Sequence, residues 1–188
     1  MKKLLKNYGI IILTLVMLQS CKKDDLYYNL SDDAKGFLFF NLEDTFKLKN
    51  LTSDEIITLT VVSKEFNYFK DGPNESFSIS FGVVPADVYV EIGVLKFTDT
   101  TNCYNGEIFI MANQDGSFVL RVSLNECFMV SSYYQYYDEL LPTTSVEGIE
   151  YQNAYILKGG PNDLFYSKEK GILKITDFEE NIIFGVIE

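Results

Sequence analysis

The chain has 188 residues, with 16 Lys and Arg against 27 Asp and Glu, a formal net charge of -11, no His and no Trp. The missing His excludes Ser-His-Asp and Cys-His catalysis and every His-ligated zinc site, and the acidic balance speaks against phosphate backbones, so no nucleic-acid partner is expected. Neither a P-loop nor a dinucleotide-binding glycine fingerprint occurs, and no cofactor or metal is expected.

Met1-Lys2-Lys3, a further Lys6 and the apolar run Ile10 to Leu18 make a charged segment followed by a short hydrophobic one, the pattern of a secretory signal. The run is about half of the ~20 apolar residues that span a bilayer, so residues 1–20 are expected to be removed. Leu18-Gln19-Ser20-Cys21 resembles the lipobox of bacterial lipoproteins. That resemblance implies cleavage between Ser20 and Cys21 and acylation of Cys21, and two or more acyl chains hold a protein stably to a membrane. Behind it, Lys23-Asp24-Asp25 resembles the lysine-plus-acids signal of surface lipoproteins in the Bacteroidota. It implies display on the cell surface, with the periplasmic face of the outer membrane as the alternative. Loss of the three leader lysines leaves 13 basic against 27 acidic residues, about -14, a charge that favours a domain standing off an anionic membrane surface.

From Cys21 to Gly36, acids, Asn and Ser dominate and apolar periodicity is absent, so residues 21–36 read as an acidic tether. Leu26, Tyr27, Tyr28 and Leu30 interrupt it and are placed to dock back onto a domain. Residues 37–188 contain neither a Gly/Ser linker nor a repeat and suit one domain with its own core.

Within that domain the apolar period is two. Phe37 to Asn41 opens a series of strands, followed by Ile57, Leu59 and Val61 alternating with polar residues, then Phe77 to Val83, then Val88, Val90, Ile92 and Val94. Glu107 to Met111 and Phe118 to Leu124 flank Asp115-Gly116, a strong hairpin signal. That register sets Ile108 against Val122, Ile110 against Leu120 and Ala112 against Phe118. It then sets Cys103 against Cys127, two thiols with no other partner once Cys21 is acylated, so a disulfide is expected in an oxidising compartment, with a pair of buried reduced thiols as the alternative. Phe128 to Tyr137 reads as a strand. Ser131 to Leu141 also suits a helix capped by Ser131 and stopped by Pro142. Tyr133-Tyr134-Gln135-Tyr136-Tyr137 offers aromatic faces for a sugar, but on a strand successive tyrosines would divide between the two faces and one set would serve the core.

Tyr151 to Leu157, Leu164 to Ser167, Gly171 to Phe178 and Ile182 to Ile187 complete the strands. Tyr151-Gln152-Asn153-Ala154-Tyr155 followed by Tyr166-Ser167 and Gly171-Ile172 is similar to the ending of small β-rich lipoproteins of the Bacteroidota. That family carries no assigned activity, and the resemblance implies fold and address only. Gly171 is expected at a turn that a side chain would obstruct.

The expected architecture is all-β and antiparallel, a sandwich or a curved half-barrel with at most one short helix. The expected function is that of a lipid-anchored accessory or binding protein without a catalytic centre, held at the membrane by its lipid and serving a neighbouring outer-membrane protein or a ligand. Its recognition loops would be Thr98 to Asn105 and Tyr137 to Glu147. Two alternatives stand beside it: a half-barrel carrying a lipid or other apolar molecule, and a glycosidase using two of Glu91, Asp99, Glu107 and Asp138. Asp99, Asn102, Asn105 and Glu107 could collect calcium but do not match an EF-hand, and a polar turn is the preferred reading.

Overall fold

In a computed structural model of the chain, the residues that can be described are 24–73, 86–101, 103–126, 129–135, 140–159, 162–177 and 179–187. The leader, Cys21, Lys23, the strand expected at Phe77 to Val83, Cys127 and Asp138 lie outside them. Among the described residues twelve strands follow in order: β1 (Leu26–Tyr28), β2 (Thr45–Asn50), β3 (Ile56–Pro73), β4 (Asp87–Thr98), β5 (Tyr104–Ala112), β6 (Phe118–Glu126), β7 (Met129–Gln135), β8 (Leu140–Val146), β9 (Ile149–Gly159), β10 (Asn162–Ser167), β11 (Gly171–Thr176) and β12 (Ile182–Ile187). A short helix, α1 (Asp32–Lys35), runs into a 3-10 turn at Gly36–Leu38.

The fold is all-β. Hydrogen-bonded neighbours run β4, β3, β2, β12, β11, β10, β9, β7, β6, β5, and β5 pairs with β4 again over Ile92 to Thr98. The curvature expected of a half-barrel therefore carries through until the path of pairing meets itself. Among the described residues every pairing is antiparallel except β1 with β4, where Leu26, Tyr27 and Tyr28 lie parallel to Val88, Tyr89 and Val90 on the edge that β5 does not reach. The seam lies between β7 and β9, joined at Tyr134 and Lys158, while β8 pairs with the first part of β9.

The Asp115-Gly116 hairpin forms in the expected register, with Ile108 opposite Val122, Ile110 opposite Leu120 and Ala112 opposite Phe118. Gly116 takes a positive φ of 85°, and Asp115 Oδ1 accepts from the Ser117 amide at 2.9 Å, which closes the turn. Ile108, Ile110, Ala112, Leu120 and Val122 are all buried on one face, as a period-two strand requires.

Three expectations give way. The stretch 21–36 is not a tether throughout, because the fold begins at Leu26. Leu30 and Ala34 are buried, Ser31 caps α1 by accepting from the Ala34 amide at 3.1 Å, and Asp32 and Asp33 occupy the first turn, where acids favour a helix N-terminus. Phe37 to Asn41 is not a strand. It is the 3-10 turn and its continuation, packed inside the sheet: the Phe37 ring lies 5.2 Å from Phe118, 4.8 Å from Tyr155 and 6.0 Å from Tyr166. The described part of Tyr137 to Glu147 is not a loop, since β8 occupies Leu140–Val146 and pairs with β9 from Leu140↔Tyr155 to Val146↔Ile149. Pro142 is tolerated there because β9 is the one strand partner of β8 among the described residues, and the missing N–H is not needed. Between Ser131 and Leu141, β7 shows the strand reading as far as Gln135.

The segment Leu30 to Phe40 thus plugs the curved sheet. Leu38 fits because position 93 on β4 is Gly, whose missing side chain would otherwise meet Leu38 and Phe66 at 2.8 Å and Ile110 at 2.9 Å. The plug is tied at three places. The buried Tyr166 hydroxyl donates to the Phe37 carbonyl at 2.5 Å, Lys35 pairs with Glu91 at 2.7 Å, and Lys168 pairs with Asp33 at 2.5 Å. Gly171 has a φ of 78°, and a side chain there would meet the Phe40 ring at 2.7 Å, so the expected obstruction is supplied by the plug itself. Phe184, Gly185 and Val186 on β12 are buried in succession, so both faces of that strand are covered, as its unbroken apolar run implies. On one side the cover is Val146, the last residue of β8, which a side chain at Gly185 would meet at 2.8 Å.

Candidate functional site

On the outward face of β3 to β6 lies an open basin of about 500 Å³, lined by Val62, Lys96, Thr98, Asn105, Glu107, Arg121, Ser123 and Asn125 around a floor at Phe97 and Gly106. The register assembles it from residues distant in sequence. Lys96 stands opposite Glu107 and Thr98 opposite Asn105 across β4 and β5, while Glu107 meets Ser123 and Asn105 meets Asn125 across β5 and β6. Directly paired residues share a face, so this row is one continuous polar surface. Only glycine fits at 106, where a side chain would collide with the Ser123 carbonyl oxygen and the Phe97 ring.

The basin's groups hold one another in place. Arg121 Nη2 donates to Glu107 Oε1, its guanidinium lies 4.8 Å from the Phe109 ring centre, and Asn125 Nδ2 donates to Asn105 Oδ1 at 2.6 Å. Two atoms are left over. Arg121 Nε, a donor, and Asn125 Oδ1, an acceptor, are shielded from solvent and have no hydrogen-bond partner. Buried polar atoms without partners are uncommon and costly, so these two single out the basin as the candidate site. Lys96 adds a cation beside the Glu107–Arg121 pair, making the basin locally basic in an acidic protein.

The carboxylates considered for hydrolysis are not assembled into a facing pair among the described residues. Glu91 points to the inner side, accepting from the Leu30 amide at 2.9 Å and pairing with Lys35, whereas Glu107 belongs to the outward row. Asp99 serves its own turn. Burial opposes its charged form, but the Thr101 hydroxyl and the Tyr104, Thr101 and Cys103 amides hold its carboxyl below the usual range. Thr98 to Asn105 is consequently a tight, internally bonded connection, with the Asp99 amide also donating to the Tyr104 carbonyl at 2.8 Å. Among the described residues no three His, Cys, Asp or Glu side chains are grouped to hold a metal. Asn105 is instead bonded to Asn125, and Asn102 lies outside the described residues.

Of the residues expected to form an export signal, Asp24 is exposed, whereas Asp25 is half-buried with Oδ1 shielded and unpartnered. Cys103 is disulfide-bonded, and its partner sulfur lies outside the described residues. On β7, Tyr133 stands opposite Val122 and Tyr134 opposite Arg121, and Tyr136 and Tyr137 lie outside the described residues. Sequence reasoning singled out Glu107 and Asn105 but missed Lys96, Arg121, Ser123 and Asn125, because each reads alone as an ordinary outward residue of a strand.

No protein family, no curated protein and no solved structure matches the chain.

Proposed function

We propose that this is a lipid-anchored outer-membrane or cell-surface binding protein whose ligand, a hydroxyl-rich molecule of the glycan class, seats in the basin on β3 to β6. The observation that carries the reading is the pairing of an unsatisfied donor, Arg121 Nε, with an unsatisfied acceptor, Asn125 Oδ1, in one recess. Hydroxyl groups both donate and accept, so an extended hydroxyl-rich ligand following the four-residue span between these atoms, about 13 Å at ~3.3 Å per residue, meets both needs where a purely anionic or apolar one does not. The amides Asn105 and Asn125, the Ser123 and Thr98 hydroxyls and the Glu107–Arg121 pair extend the same pattern along the row. A hollow carrier for apolar molecules fits less well, since Phe37, Leu38 and Phe40 occupy the inside of the sheet.

The address rests on Leu18-Gln19-Ser20-Cys21 and on Lys23-Asp24-Asp25, with Cys21 as the acylated residue. The covalent partner of Cys103 in this reading is Cys127. Tyr104 and Glu126 are paired at the ends of β5 and β6, and each cysteine is the next residue outward.

Titration of the purified protein with a panel of neutral and acidic oligosaccharides tests the basin. The best ligand should bind roughly tenfold more weakly to Asn125→Ala and to Arg121→Lys, a loss of about 1.4 kcal/mol. Equal affinity in both variants would remove the basin from the proposal. Turnover of the sugar, abolished by Glu107→Gln, would convert the reading to an enzyme.

A further inference from the structure

We propose that the end of the sheet made by β1 and the distal parts of β3 and β4 lies against the bilayer, with its exposed aromatic rings in the headgroup layer. This rests on the reading of Cys21 as the lipid anchor. Tyr27, Tyr68 and Phe69 are 55%, 51% and 57% exposed, and Phe66 beside them is 39% exposed, a density of open aromatic surface that costs solubility and calls for an occupant.

The rings act as a unit. Tyr27 stacks on Tyr89 with centroids 5.0 Å apart and planes 10° from parallel, and Tyr68 meets Tyr27 edge-on at 5.4 Å. The Tyr68 hydroxyl is held by Asn29. Two features select a lipid surface over a protein or small-molecule partner. Tyr68 pairs with Glu91 and Phe69 with Val90, and since consecutive strand residues face opposite ways, aromatics emerge on both faces of the projecting strands. Beside Phe69 its own face is closed over Val88 and Val90, so the open aromatic surface is a rim around the end of the sheet, a shape that an interfacial layer covers and a flat docking partner does not.

The second feature is the leash. Five residues lie between Cys21 and Tyr27, and the six steps reach at most about 20 Å fully extended. An acylated Cys21 therefore keeps these rings within a headgroup's depth or two of the membrane. Tyrosine, with an apolar body and a polar tip, is suited to that layer. Beside the rings Lys70 pairs with Asp87 at 2.8 Å and Lys35 with Glu91, while Asp24 and Asp71 are exposed acids that favour a zwitterionic over an anionic surface. Repulsion between the acids elsewhere on the domain and an anionic surface is screened beyond about 8 Å at physiological salt.

The absence of Trp makes the test direct. Tyr68→Trp and Phe69→Trp each place a single reporter at this end. Thr100→Trp places one in the turn after β4, about 30 Å away at ~3.3 Å per residue. Each protein is expressed with its leader, its N-terminal acylation verified by mass, and reconstituted in phosphatidylcholine vesicles with and without brominated acyl chains. The expected result is a blue shift and loss of most emission at positions 68 and 69, with position 100 unchanged. Acylated protein whose reporters at positions 68 and 69 stay unquenched would overturn the proposal, and shielding of those reporters from aqueous iodide in that case would assign the face to a protein. Absence of acylation would refute the anchor itself, and this orientation with it.

Discussion

Replacing Tyr166 with Phe removes one hydroxyl from the centre of the molecule and changes little else. The side chain is fully buried, its hydroxyl donates to the Phe37 carbonyl at 2.5 Å, and its ring stacks near Phe37. Phe keeps the ring, so the cavity cost is small and the loss is that of a buried hydrogen bond, about 1–2 kcal/mol. In a domain of this size that corresponds to a fall in Tm of roughly 3–8 °C. A pH signature identifies the cause. Burial raises the phenol far above its ordinary value of 10.0, so the folded state keeps a proton that the unfolded chain releases. The stabilisation is complete below about pH 10 and is lost as pH rises above it, at a slope approaching about 1.4 kcal/mol per pH unit. The variant lacks that component. Equilibrium urea unfolding of both proteins near neutrality and again near pH 11 should therefore show a gap that narrows with alkalinity. Identical midpoints at neutral pH, or a gap that stays constant, would refute the view that this bond ties the plug to the sheet.

Gly148 and Gly171 both have positive φ, yet a side chain meets nothing within 4 Å at 148 and the Phe40 ring at 2.7 Å at 171. Thermal melts should show Gly148→Ala costing about 1–2 kcal/mol for its backbone and Gly171→Ala costing clearly more, and equal losses would contradict the plug's position. Non-reducing peptide mapping should recover Cys103 joined to Cys127, a link across a loop of about 24 residues that contributes on the order of 3 kcal/mol in the chain-entropy model, while recovery of Cys103 joined to Cys21 would remove both the anchor and the pairing. Changing Lys23, Asp24 and Asp25 to Ala should preserve lipidation and abolish cleavage by protease added to intact cells. A melt of the same variant separates export from folding, because Asp25 is partly enclosed by the domain.

Sequence periodicity revealed β5 and β6 down to the register because Asp115-Gly116 pins the turn and each strand buries one face only. It misread Phe37 to Asn41 because a short apolar run has no period long enough to tell a strand from a helical turn. The signal that would have resolved it, Ser31 followed by Asp32 and Asp33, lies just upstream among residues that resemble a solvated tether. Closure of the sheet through β4 and β5, and the placement of β8 beside β7 on one edge of β9, depend on pairings between distant segments that no local pattern encodes. The basin was hidden for the same reason: Lys96, Glu107 and Arg121 become neighbours only after two hairpins fix their rows.

The parallel pairing of β1 with β4 also determines how the domain answers a pull from its N-terminal side. Tension along the chain at Asp24 draws β1 lengthwise against β4, so the pairs at Leu26, Tyr27 and Tyr28 share the load and must slip together. An antiparallel hairpin at that position would peel one pair at a time. Behind those pairs, Phe37 and Leu38 are wedged inside the sheet and cannot follow until it opens. Resistance of this end to a pull is then set by the height of an unfolding barrier, not by equilibrium stability, which is the quantity the proposed anchor at Cys21 would call upon.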